Sequence, residues 1–148
     1  MRRFVLDTNV CLAYIRGSAL YTKVEVDHNL SMPDAMVIIS VVSKAELFSP
    51  AVQNGWGSDK LARLNKPLKE LFIIDINEND QALLETYVNI DAYSQDRLKS
   101  RPLNNTSRNM GKNDLWIAAT AHVAKAPLIT TDNDFDHLNG SFIEVLKY

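Results

Sequence analysis

Four carboxylates in this chain stand where an α/β fold would use acids for chemistry. Asp7 directly follows the apolar run Phe4-Val5-Leu6, and Asp132 closely follows Leu128-Ile129-Thr130-Thr131. Glu46 and Asp114 each fall in the first turn of a helix expected from the surrounding pattern. Any one of them is explained by helix capping and the helix macrodipole, each contributing about 0.3–1 kcal/mol. Together they are a liability, because two carboxylates ~4 Å apart repel by about 4 kcal/mol at an effective dielectric near 20. Protons or a cation must offset that repulsion. Hard oxygen donors without His or Cys beside them favour Mg²⁺ or Mn²⁺ over zinc. The chemistry expected of such a set is metal-assisted phosphodiester hydrolysis, in which the ion activates water and clamps phosphate oxygens.

For the four acids to meet, the elements carrying them must end at one rim. The pattern predicts strands at 4–6, 36–42, 71–76, 128–131 and 142–146. Helices are expected at 10–16, 22–31, from Ser43 to near Gly55 or Gly57, and over 58–64. Further helices are expected from Glu78 to about Leu98 and from Asn113-Asp114 to Pro127. Thr8 or Asn9 is expected to cap the first helix. Ser43-Lys44-Ala45-Glu46 reads as a capping box, and Asn77 as the cap of the long helix, whose Leu84, Val88 and Ala92 share one face. Alternating strands and helices imply a parallel sheet with right-handed crossovers, hence a three-layer α/β sandwich with a central parallel sheet. Sites in such sheets lie beyond the carboxyl ends of the strands, where these acids fall.

The 148 residues fit one domain, 1–148, with no repeat or long linker. The composition, 46% hydrophobic and 23% charged with five Gly and five Pro, excludes collagen-like and low-complexity chains. A single cysteine, Cys11, excludes a disulfide framework and fits the reducing cytoplasm. No apolar run is long enough to span a bilayer, and Asp7 and Asn9 interrupt the apolar stretch after Arg2-Arg3 too early for a signal peptide. His28, His122 and His137 share no ligand spacing, and Asp75 reads as a turn or cap residue.

The net charge of −2 argues against a polyanionic partner until the charges are placed. Between Arg97 and Lys112 the chain carries Arg97, Lys99, Arg101, Arg108 and Lys112 with no acid among them. Cations there would hold a phosphate backbone against the acidic rim. Asn104, Asn105, Thr106, Ser107 and Asn109 add groups for unpaired nucleotides, and Tyr93 or Trp116 would be available to stack on a base.

The segments FVLDTNV, SVVSKAELFSPA, GKNDLWIAATA and LITTDNDFDHL, in this order, resemble the PIN domain family, and within it the VapC-type ribonuclease toxins. The resemblance covers nearly the whole chain. It implies Asp7, Glu46, Asp114 and Asp132 as a catalytic quartet binding Mg²⁺ or Mn²⁺. It implies Thr8 or Asn9 and Thr131 as supporting polar groups and Asp134 as an additional acid. It also implies an RNA substrate, a homodimer, and a cognate antitoxin that occludes the site. A PIN-type RNA-processing nuclease outside a toxin module is the alternative, and a catalytically silent RNA-binding module a more distant one. A phosphatase-like domain needs a second acid where Asn9 stands, and a receiver domain needs an acidic pair that Asp7 lacks.

Overall fold

A computed structural model describes all residues, 1–148. In chain order the elements are β1 (Arg2–Leu6), α1 (Thr8–Arg16), α2 (Ala19–His28), β2 (Ala35–Ser40), α3 (Val41–Gln53), α4 (Ser58–Leu68), β3 (Phe72–Ile74), α5 (Gln81–Ser94), α6 (Lys112–Ala124), β4 (Leu128–Thr130) and β5 (Val145–Lys147), with a 3-10 turn, Asn133–Leu138, between the last two strands. The strands form one parallel sheet in the order β3-β2-β1-β4-β5.

Both sheet faces are covered, and the strands show it by alternation. Val5, Ile38 and Leu128 point into one core with Ile90 and Tyr93 of α5 and Leu115, Ile117 and Ala118 of α6. Their neighbours Phe4, Leu6, Val37, Ile39 and Ile129 point into the other, with residues of α1 to α4 such as Val10, Val24, Leu47 and Leu64. A sheet buried on both faces requires such continuous apolar strands. The expected α/β sandwich with a central parallel sheet is the fold observed.

Several boundaries differ from the sequence expectations, each for a local reason. β2 stops at Ser40 instead of Val42, because the Ser40 side chain accepts from the Val42 N–H and caps α3. The capping box at Ser43–Glu46 is therefore not one: Ser43 lies inside α3, and both side chains turn to Thr8. Asp7 caps α1 in place of Thr8 or Asn9. Asp80 caps α5 through the Leu83 N–H, while Asn77 closes a turn on Asn79, so α5 starts later than expected and ends at Ser94. Its buried stripe is Leu83, Thr86, Ile90 and Tyr93, and the expected Leu84, Val88, Ala92 face is half-buried with Val88 exposed. The second helix lies earlier than 22–31, because Asn29, at φ 52°, ends it. α4 continues through Pro67 to Leu68. β3 is shorter than 71–76, β4 ends before Thr131, and β5 begins at Val145 because Phe142 lies in a turn and Ile143 bridges to Asn139.

The carboxyl ends of β1 and β4 lie side by side, with the Asp7 N–H donating to the Ile129 carbonyl at 3.0 Å. That register brings Asp7 beside Thr130. The segment 95–111 has no regular element, yet it is anchored. Leu103 and Met110 are buried, the Leu103 N–H donates to Asp96, and the Arg108 N–H donates to the Ser94 carbonyl at 2.7 Å.

Candidate metal centre

Asp7 is buried at the end of β1, an unfavourable place for a carboxylate unless its oxygens are satisfied. Both are. The Thr8 N–H donates to Oδ1 at 2.7 Å and the Thr130 hydroxyl donates to Oδ2 at 2.7 Å. The Asp7 carboxyl pKa is nevertheless raised, first by burial and further by the charges of Asp132 and Glu46, against the lowering by these two hydrogen bonds. Thr130 also accepts from the Asp132 N–H at 3.0 Å, and Asp132 Oδ1 accepts from the Asp134 N–H at 2.9 Å. A continuous hydrogen-bonded path thus runs from Asp7 through Thr130 into the 3-10 turn, and it holds the carboxylates of Asp7 and Asp132 and the backbone of Asp134.

On the other side of Asp7, Thr8 Oγ1 lies 2.9 Å from Glu46 Oε1 and 2.9 Å from Ser43 Oγ. The carboxylate can only accept, so the Thr8 hydroxyl proton points to Glu46. Asp114 enters from the first turn of α6. One of its oxygens and one each from Asp132 and Asp134 lie within 4.8 Å of one another. Burial raises the Asp114 carboxyl pKa to about 7, reinforced by the charges of Asp7, Asp132, Asp134 and Glu46.

The structure thus places all four acids singled out in the sequence within one electrostatic neighbourhood, and it adds Asp134 to the tightest group. Asp75 is not among the acids acting on Asp114. Neither of the chain's two ion pairs, Arg2–Asp34 and Lys147–Asp136, involves a site acid. Five carboxylates with oxygen donors only and no compensating ion pair fit a hard divalent cation such as Mg²⁺ or Mn²⁺. Asp114, Asp132 and Asp134 are the residues spaced to hold one.

Two contributors escaped the sequence reading. Thr130 bonds to Asp7 and Asp132, while Thr131, the supporting polar group that the resemblance implies, forms no side-chain hydrogen bond. Strand alternation carried the signal, since Thr130 shares its parity with Leu128 and Asp132. Ser43 supports Thr8, and the signal was a small polar residue one turn before Glu46. Asn9, the alternative to Thr8, is exposed and makes no side-chain hydrogen bond.

The basic residues divide. Arg101 is engaged away from the acids, donating to the Ser141 carbonyl at 2.9 Å with its guanidinium 4.3 Å from the centre of the Phe142 ring. Arg97 and Lys99 are exposed after α5. Lys112 opens α6 and lines a cleft with Glu46, Gly111, Asn113 and Asp114. Arg108 lines a second cleft with Asp134. Tyr93 is buried against His137 and Phe142, so it is not available to stack on a base, and Trp116 packs on Tyr87 with ring centres 4.2 Å apart.

The PIN domain family profile matches residues 4–141. No curated protein sequence matches the chain. Among solved structures, the fold is similar to a chain of VapBC2 from Rickettsia felis, bound to a DNA fragment from their promoter. The TM-score is 0.74 at 22% identity, with 98% of each chain covered. It is also similar to DNA-bound VapBC from Salmonella typhimurium (TM-score 0.71, 22% identity, 99% of this chain and 98% of that one). A third is FitAcB from Neisseria gonorrhoeae (TM-score 0.67, 20% identity, 97% and 96%).

Proposed function

The chain belongs to the PIN domain family, and from that premise we propose that it is a divalent-metal-dependent endoribonuclease that serves as the toxin of a toxin–antitoxin pair. The observation that carries this reading is the convergence of Asp7, Glu46, Asp114, Asp132 and Asp134 at one sheet edge without an ion pair. A bound Mg²⁺ or Mn²⁺ supplies Lewis-acid chemistry, lowering the pKa of water and offsetting charge on phosphate oxygens. The chain's own part is to hold that centre in shape. Asp114, Asp132 and Asp134 present the closest oxygens. Asp7 and Glu46 complete the acidic surface, and Thr8 and Thr130 fix their rotamers.

Of the cations of 97–112, Arg108 and Lys112 line clefts shared with the acids and are the groups to hold an RNA backbone beside them. The toxin role and the antitoxin partner rest on the motif resemblance and on neighbours described as VapBC and toxin–antitoxin complexes, and the homodimer on the motif resemblance alone. Free, buried Cys11 is compatible with action in the cytoplasm, and no helix is long and apolar enough to cross a membrane.

The test is cleavage of a structured RNA with Mg²⁺ or Mn²⁺ by the wild type, Asp7→Asn and Asp114→Asn. Cleavage by the wild type alone is expected, and equal cleavage by all three refutes the assignment. Growth arrest on expression, relieved by the product of a small adjacent gene, separates a toxin from an RNA-processing nuclease.

A further inference from the structure

The five basic residues of the 97–112 segment are not equivalent, and Arg108 differs from the rest in how it is held. Its backbone N–H is tied to the Ser94 carbonyl, and Leu103 and Met110, either side of it, are buried in the core. The side chain is half-buried, with Nε shielded from solvent and without a hydrogen-bond partner. It forms no ion pair, although Asp134 lines the same cleft. Arg101, by comparison, already has its partners in Ser141 and Phe142. Arg108 is therefore anchored by its backbone, and its guanidinium has unused donors next to the acid cluster.

The cleft has the composition of an anion subsite. Its volume is about 200 Å³, and it is lined by Thr106, Ser107, Arg108, Asn109, Met110 and Asp134, of which only Met110 is apolar. That is smaller than the ~300 Å³ at which pockets begin to enclose drug-sized ligands, and on the scale of one phosphate group. Asp134 forms the wall shared with the metal centre, so a group bound here is adjacent to the reacting phosphodiester. Arginine presents planar, paired donors that match two phosphate oxygens, and the hydroxyl and amide groups of Thr106, Ser107 and Asn109 add neutral donors beside it.

We propose that Arg108, with Thr106, Ser107 and Asn109, binds the RNA phosphate neighbouring the scissile one and so sets the register of the strand over the acids. This rests on the nuclease reading and deepens it. Arg108 acts in substrate binding and positioning, so its loss is expected mainly in KM.

The experiment is the salt dependence of binding of a fluorescent single-stranded oligoribonucleotide in Ca²⁺, alongside steady-state cleavage of the same RNA in Mn²⁺. Arg108→Gln is expected to weaken binding about 10–100-fold, as the loss of a charge-assisted contact does. It is also expected to reduce the slope of log K against log salt by about 0.7, the value for one single-strand phosphate contact. Arg108→Lys, which keeps the charge, should restore the slope and part of the affinity. Lys125→Gln, at the far end of α6 from Asp114, should leave both unchanged. A wild type that cleaves RNA while Arg108→Gln keeps the wild-type slope and KM overturns the subsite and leaves the nuclease reading intact. A wild type that neither binds nor cleaves RNA overturns both.

Discussion

At Asp114, desolvation and the fields of four other acids act in one direction, holding the carboxyl pKa at about 7, well above its ordinary 3.8. The sign of the consequence follows from linkage. A carboxyl whose folded pKa is raised contributes stability that is fully present below its unfolded pKa and is lost as pH rises through the folded value. Without metal, the protein should therefore lose stability between about pH 4 and pH 7, and Asp114→Asn should remove much of that loss. Thermal melts in chelator are expected to show the variant more stable than the wild type at pH 8, by about 3 °C for each kcal/mol of repulsion removed. The two should converge near pH 4. A variant less stable at both pH values would instead make Asp114 a structural residue. His137 carries the opposite sign. Burial, with Arg108 nearby, lowers its pKa to about 4, so its contribution is present above the ordinary 6.5 and is lost as pH falls toward 4. The acids themselves were legible because a carboxylate directly after an apolar strand is conspicuous. Thr130 and Ser43 were not, because a threonine or serine in a strand or helix is chemically ordinary until its partner is known.

The site is assembled by element ends more than by elements. Asp7 directly follows β1, β4 ends in Thr130, and one hydroxyl joins them while also holding the backbone of Asp132. Thr130→Val keeps the shape and removes that bridge. It leaves a buried Asp7 oxygen without its donor, at a cost of about 1–3 kcal/mol. Chemical denaturation should register that loss, and RNA cleavage should fall with it. Wild-type stability and activity in Thr130→Val would remove the bridge from the account. Periodicity located every helix and strand of the sheet, because a doubly covered sheet demands apolar strands. It misplaced their ends where a single side chain decides the boundary. MVIISVV reads as one β-branched run, yet Ser40 caps a helix two residues before that run is over. In α5 the apolar Leu84 and Val88 drew the eye to one face, while the buried stripe runs through Thr86, whose hydroxyl is satisfied by the Ala82 carbonyl. A polar residue that bonds to its own helix leaves no trace in a hydrophobicity pattern.

For the whole molecule, the net charge of −2 hides two regions of opposite sign. One is a rim of five acids at the carboxyl ends of the strands, and the other a basic segment whose Arg108 and Lys112 reach that rim. Divalent cations in the rim would bring the effective charge to about zero or above, which reconciles a slightly acidic chain with the proposed polyanionic substrate. The sequence showed both regions but not their division of labour, since only the packed chain reveals that Arg101 is occupied by Phe142 while Arg108 is free. Metal-dependent RNA hydrolysis is the claim on which the rest depends. Its most direct test is RNA cleavage by the purified protein after stripping with chelator, followed by graded return of Mn²⁺ or Mg²⁺. No cleavage is expected in chelator, with recovery that saturates as metal is added. Cleavage that persists in chelator, or that fails to return with either ion, would contradict it.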